Sequence, residues 1–247
     1  MPPANIYIAA VAAPYLLFAA LGWLLSRLRP HVRRAILALV WADMMIAEIG
    51  KLLILDAQNV DPPFVPLHFS TTFHLSVGLA VLGDGWLKHA GQVLLFVGGI
   101  IMSAMIFVNP VAVLGDVTLV FTSHVNAHGY FFHMSVATQF YSMLFSGEYR
   151  AGALDGHIFA VFLLFWACLA VPGAFALGVN YMGILQPYIG FFVPLLERFG
   201  YPLYLTVYYA AVCLAVWLAL QLWRLVQGAY YKKKRERALP PLLRARQ

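Results

Sequence analysis

Charge is scarce in this chain. Only 11% of its 247 residues are Asp, Glu, Lys or Arg, whereas a soluble domain carries roughly a quarter. With 62% hydrophobic residues and a mean hydropathy of +0.80, the chain cannot keep its surface in water. That excludes an ordinary soluble enzyme and predicts an all-α, polytopic integral membrane protein, in the cytoplasmic membrane if bacterial. Cysteine is almost absent too. Cys168 and Cys213 lie inside apolar runs, without metal-ligand spacing or a disulfide pattern, and are expected to be buried small hydrophobes. The chain has no HExxH and no paired cysteines, so no metal is expected, nor any cofactor. Span seven below holds no lysine, which excludes retinal Schiff-base chemistry.

Apolar runs are what the chain has in quantity. Seven predicted spans cover 5–26, 35–55, 67–84, 91–109, 125–146, 156–177 and 202–226. Residues 1–229 form one transmembrane domain and 230–247 a basic tail. The positive clusters, Arg27–Arg34 and Lys232–Arg246, fall on one side together with Lys88 and Arg150. Asp56, Asp61 and Asp116 fall on the other. Positive-inside bias with an odd span count puts the N-terminus outside and the C-terminus in the cytoplasm. The basic clusters therefore report topology rather than a nucleic-acid partner. The tail is expected to meet anionic inner-leaflet lipids. The first span has no basic n-region and is followed by arginines, so a retained helix is expected rather than a cleaved signal.

The few polar residues inside the spans then matter most, because such groups are costly in lipid. Span two contains Asp43, Glu48 and Lys51. Glu48 and Lys51, three apart, share a helix face, so Glu48 either pairs with Lys51 or orients a histidine. Span three opens Val65-Pro66-Leu67-His68-Phe69-Ser70-Thr71-Thr72-Phe73-His74. Ser70 and His74, four apart, are a feasible nucleophile and base, or Ser70 bonds only its own helix. Span five brings His124 and His128 onto one face, with His133 pointing largely elsewhere.

Several ordered pieces resemble a known family. They are Val-Pro-Leu-His-Phe-Ser at 65–70, Phe96-Val97-Gly98-Gly99 running to Asn109-Pro110, His128-Gly129, Asn180-Tyr181-Met182 and Gly200-Tyr201-Pro202-Leu203-Tyr204. Together they look like the bacterial YwaF-like seven-helix membrane family, related to animal transmembrane protein 164, over roughly residues 40 to 225. The resemblance implies a phospholipid acyltransferase that moves a fatty acyl chain from a diacyl phospholipid to a lyso ether phospholipid. In that family the span-three motif is Leu-Pro-Leu-His-Leu-Cys, and its cysteine works with a histidine from a later helix. His68 matches the motif histidine, His128 the later histidine and Asn180 the Asn-Tyr-Met asparagine. Glu48 stands where the family tends to be acidic. Ser70 replaces the cysteine, so an acyl-enzyme here would be a serine ester.

The expectation is then a membrane-embedded lipid-modifying enzyme acting on glycerophospholipids near the outer leaflet. Ser70 would attack an ester, His128 or His74 would take its proton, and His68 or Asn180 would steady the oxyanion. Glu48 would support a histidine, and Asn180, Tyr181 and His124 would contact substrate. One alternative is a transport or binding protein, with Asp43, Glu48, His74 and His128 lining a ligand or proton path; another is a membrane subunit whose polar residues only tie helices together.

Overall fold

The computed structural model describes residues 8–59 and 65–238. Asp61, the first residues of the chain and the last part of the basic tail lie outside the described residues. Every regular element among them is helical. A π-helical turn, Ile8–Ala12, leads into α1 (Ala13–Ser26). Then come α2 (Pro30–Ala57), α3 (Thr72–Leu82), α4 (Gly85–Val108), the short α5 (Pro110–Leu114), α6 (His124–Ser146), α7 (Asp155–Leu177) and α8 (Val193–Ala238).

Helices overlap each predicted apolar segment, but their ends differ. α3 starts only at Thr72, because Pro66 and the extended His68 (φ −65, ψ 150) hold the chain out of helix until the 3-10 turn Phe69–Thr71. α8 runs far past 202–226 in both directions and breaks at Gly200. There φ 73 and ψ −179 are open only to glycine, and Pro202 withholds a helical donor just beyond.

Three helical stretches are long and apolar enough to cross a membrane: Gly85–Val108, Asp155–Leu177 and Gly190–Tyr230. α2, with 28 residues, and α6, with 23, are comparably long. Their ionisable and polar side chains are what separates them from those three. Large apolar side chains cover the outside: Leu39, Ile46, Val161, Leu164, Leu222 and Leu225 are all strongly exposed. Such a surface is compatible with an integral membrane protein, which would place these groups in lipid.

α4 and α6 form the inside. α6 packs along α1 and also meets α2, α3 and α4, while α7 and α8 lie against each other towards the periphery. Interhelical polar bonds and close approaches hold this arrangement, as expected where lipid offers no hydrophobic drive between helices. The Thr138 hydroxyl donates to the Phe18 carbonyl (3.1 Å), and Gln139 Nε2 to the Leu37 carbonyl (3.0 Å). Tyr15 bonds Ser103 at 2.5 Å and meets the Tyr141 hydroxyl at 3.1 Å. At Gly91 the α3 backbone is so near that a Cβ would sit 2.3 Å from the Ala80 nitrogen.

One expectation about the cysteines fails. Cys168 is exposed and Cys213 half-buried, and both are free thiols. Cys168 stands on the outer face of α7 beside Leu164, Phe165 and Leu169, all exposed. An apolar run in this bundle marks the outward face as readily as the core.

Candidate functional site

Two polar groups assemble inside the bundle. The first is built on Glu48 of α2. Its Oε2 lies 2.7 Å from Lys51 Nζ, 2.6 Å from His128 Nε2 and 3.6 Å from His74 Nε2. All four side chains are buried, at 9–11% exposure. Glu48 thus pairs with Lys51 one turn away and also meets a histidine from another helix. The His128 imidazole donates from Nε2 to the carboxylate. His74, at 3.6 Å, is beyond hydrogen-bond length.

Local packing fixes the register that brings these residues together. Trp41 Nε1 donates to the His74 carbonyl (2.8 Å), and Gly78 lets the Trp41 indole lie flat against α3, where a Cβ would stand 3.0 Å from its nitrogen. The Phe132 ring fills the space between His74 (centroids 4.7 Å) and His128 (5.7 Å). Three buried polar atoms remain unused. Glu48 Oε1 and both nitrogens of His74 are buried without a hydrogen bond. The Lys51 ammonium stands where a metal cation would otherwise balance the carboxylate, and no group of three or more His, Cys, Asp or Glu among the described residues is arranged to hold a metal ion.

The second group edges a cavity of about 600 Å³ walled by α3, α4, α6, α8 and the 180–192 connection. Most of the wall is apolar, including Val97, Ile100, Ile101, Met105, Val212 and Val216. Its polar residues are His68, Ser70, His133 and the tyrosines Tyr188, Tyr208 and Tyr209. The Tyr181 ring packs edge-on against His68, centroids 4.9 Å apart. His133 donates from Nδ1 to the Gly129 carbonyl (2.6 Å), a tautomer that leaves Nε2 unprotonated. The buried Tyr209 hydroxyl has no partner. The groups are neighbours: Phe73 of the cavity wall meets Phe132 (centroids 6.4 Å), the ring that packs against His74 and His128.

The predicted site residues are therefore divided. Ser70 and His68 share the cavity. Glu48, His74 and His128 form the buried quartet with Lys51. Ser70 belongs to a 3-10 turn and His74 to the helix after it, which undoes the shared face expected of an unbroken helix. Asn180 is a loop brace. Its Oδ1 accepts from the Leu185 and Gln186 amides (2.9 and 3.0 Å) and its Nδ2 donates to the Gln186 carbonyl (2.9 Å). That set holds a tight turn in which Met182 and Gly183 both have positive φ. Those bonds use its amide oxygen and one of the two Nδ2 hydrogens. His124 and Asp43 are exposed and join neither group.

His133 is the residue that sequence reasoning set aside. It is 7% exposed and lines the cavity. The available signal was its position in the most polar-rich inner helix, where nearly every face meets protein. No protein-family model, curated protein or solved structure matches the chain.

Proposed function

We propose that the protein is a membrane-embedded enzyme that transfers acyl chains between glycerophospholipids, with Ser70 as nucleophile. The carrying observation is the 600 Å³ cavity, largely apolar, with a hydroxyl and two imidazoles at its wall. Its volume suits a small-molecule or lipid-chain ligand. The resemblance to the YwaF-like family points to the same reaction. The reading includes seven membrane crossings, with the N-terminus outside and the site towards the outer leaflet.

In this scheme Ser70 Oγ attacks the ester carbonyl of a bound phospholipid. Its proton passes to the His68 imidazole or to the unprotonated Nε2 of His133. The carbonyl carbon–oxygen bond to glycerol then breaks, and the lyso-lipid oxygen leaves with that proton. A lyso acceptor next gives its hydroxyl proton to the same imidazole and attacks the seryl ester, which returns the proton to Ser70. A serine hydroxyl needs such a base, because alone it is too weak an acid to ionise. The Tyr209 hydroxyl is an available donor for ester or phosphate oxygens.

The test is acyl exchange between isotopically distinguished phospholipids, measured by mass spectrometry on protein purified in lipid. Ser70→Ala is expected to abolish exchange while leaving the fold intact. Exchange that continues at the wild-type rate in Ser70→Ala rejects the assignment.

A second reading has its own observation in the Glu48–Lys51–His74–His128 quartet, whose unused acceptors could pass a proton. Proton flux into liposomes that is lost in Glu48→Gln, with no acyl exchange, would favour transport.

A further inference from the structure

At the opposite end of α3 a second cavity, of about 300 Å³, is lined by His31, Arg33, Arg34, Lys88 and Glu148. Three permanent cations line it with one carboxylate, Glu148, and a second carboxylate, Asp84, meets Arg34 from the side, which leaves one positive charge in excess. Arg33 is buried at 5% exposure and pairs with Glu148, and its Nη1 also donates to the Ser26 (3.2 Å) and Leu28 (3.4 Å) carbonyls. Glu148 is thereby committed. Arg34 is fixed from one side only. Its Nε donates to the Val81 carbonyl (2.7 Å), and its Nη2 reaches the Leu82 carbonyl (2.9 Å), the Gly83 carbonyl (3.3 Å) and Asp84 (3.3 Å). Its Nη1 carries no protein bond, and neither does Nζ of the half-buried Lys88. The cavity is therefore a polar recess with surplus positive charge, one guanidinium held rigid and two sets of donors unclaimed.

We propose that this recess binds a phosphate group. A guanidinium fork locked by backbone carbonyls and a lysine point charge are the two donor types that phosphate oxygens take best. The neighbourhood matches a headgroup depth. Trp23 (42%) and Trp86 (68%) are exposed on the helices flanking the recess, as are Leu82 and Leu87, and such rings favour the membrane interface. Basic pockets between helices are a recurrent means of holding anionic headgroups. The shared chemistry is a phosphate mono- or diester, which either a phospholipid or a soluble phosphate could bring. The site lies about 18 Å from Ser70 along α3, from the rise per residue, and does not depend on acyl-transfer chemistry there.

The experiment uses the full chain in detergent and in nanodiscs. Native mass spectrometry compares retention of phosphatidylglycerol with phosphatidylcholine, and thermal unfolding is followed with added inorganic phosphate. Lys88→Gln is the main variant, because Lys88 makes no side-chain bond whose loss could unfold the protein; His31→Gln is the second. A preference for phosphatidylglycerol that falls about tenfold in Lys88→Gln, as for loss of one charge-assisted contact, supports a lipid phosphate. Stabilisation by inorganic phosphate that Lys88→Gln removes, without lipid preference, supports a soluble phosphate. Equal retention of both lipids with no phosphate effect, or a wild-type response from both variants, overturns the proposal. Acyl-exchange activity is read separately through Ser70, so loss of either reading leaves the other standing.

Discussion

Glu48→Gln isolates the energetic centre of the bundle. The carboxylate accepts from Lys51 at 2.7 Å and His128 at 2.6 Å, with every partner no more than 11% exposed. Removing one member of a buried ion pair leaves the other charge unbalanced, at a cost of about 3–5 kcal/mol. Glu48→Gln therefore should destabilise by about that amount, because the Lys51 ammonium loses the carboxylate it pairs with at 2.7 Å. Lys51→Met should cost less. Glu48 then keeps two imidazoles at 2.6 and 3.6 Å, the nearer donating to it, and no ammonium is left unbalanced. The double variant Glu48→Gln/Lys51→Met removes both charges and should recover about half or more of the single loss, since neutral packing often matches a buried ion pair. The assay is reversible unfolding in mixed micelles for all four proteins, analysed as a double-mutant cycle. A Glu48→Gln protein within about 0.5 kcal/mol of wild type, or a cycle that is simply additive, refutes the reasoning.

Four further outcomes are expected. Gly91→Ala should lower the melting temperature by several degrees, from about 1–3 kcal/mol of overpacking, because its Cβ would meet the Ala80 backbone nitrogen at 2.3 Å. Gly50→Ala is its opposite: no atom lies within 4 Å of the added Cβ, and a helix-interior glycine replaced by alanine should stabilise by about 0.5–1 kcal/mol in the same assay. Asp155→Ala should destabilise more than either. This carboxylate is 1% exposed and accepts from Tyr149 (2.7 Å) and the Gly152 amide (2.8 Å), with His89 at 2.8 Å. Tyr149→Phe, which removes one of these bonds, should cost about 1 kcal/mol. A Tyr149→Phe loss equal to that of Asp155→Ala would show that the phenol, not the carboxylate, organises the cluster.

The sequence carried some of this and withheld the rest for definite reasons. The Glu48–Lys51 pair was legible, because three-residue spacing within one helix needs no knowledge of any other helix. The convergence of His74 and His128 on that carboxylate was not, since it depends on the relative register of α2, α3 and α6. Trp41 against Gly78 and Gln139 against the Leu37 carbonyl set that register. The expected Ser70–His74 face failed at one boundary. Helix begins at Thr72, so spacing arguments carried back to Ser70 assumed a geometry that Pro66 and the extended His68 prevent. His133 was missed by an opposite error. Five residues after His128 it is turned by about 140°, but an inner helix meets protein on that side too.

This division of residues turns an ambiguity of function into a crossed experiment. Had Ser70, His128 and Glu48 formed one contiguous triad, every substitution would disable both catalysis and proton transfer, and mutants could not tell the readings apart. Instead Ser70, His68 and His133 line the cavity while Glu48, His74 and His128 lie in the quartet. The charge-neutral Glu48→Gln/Lys51→Met protein keeps the cavity wall, so under acyl transfer it should retain most exchange activity while Ser70→Ala loses it. Under proton passage the order reverses, with flux surviving Ser70→Ala and vanishing in the double variant. Loss of exchange in both proteins, with the fold verified, would mean that the quartet sets the charge state felt by His68 and is part of the catalytic site. The contact of Phe73 in the cavity wall with Phe132, which packs on the quartet imidazoles, makes that third result the informative exception. It would place Glu48 as a positioning residue acting through an imidazole, and a shifted pH profile in the double variant would distinguish that role from simple loss of protein.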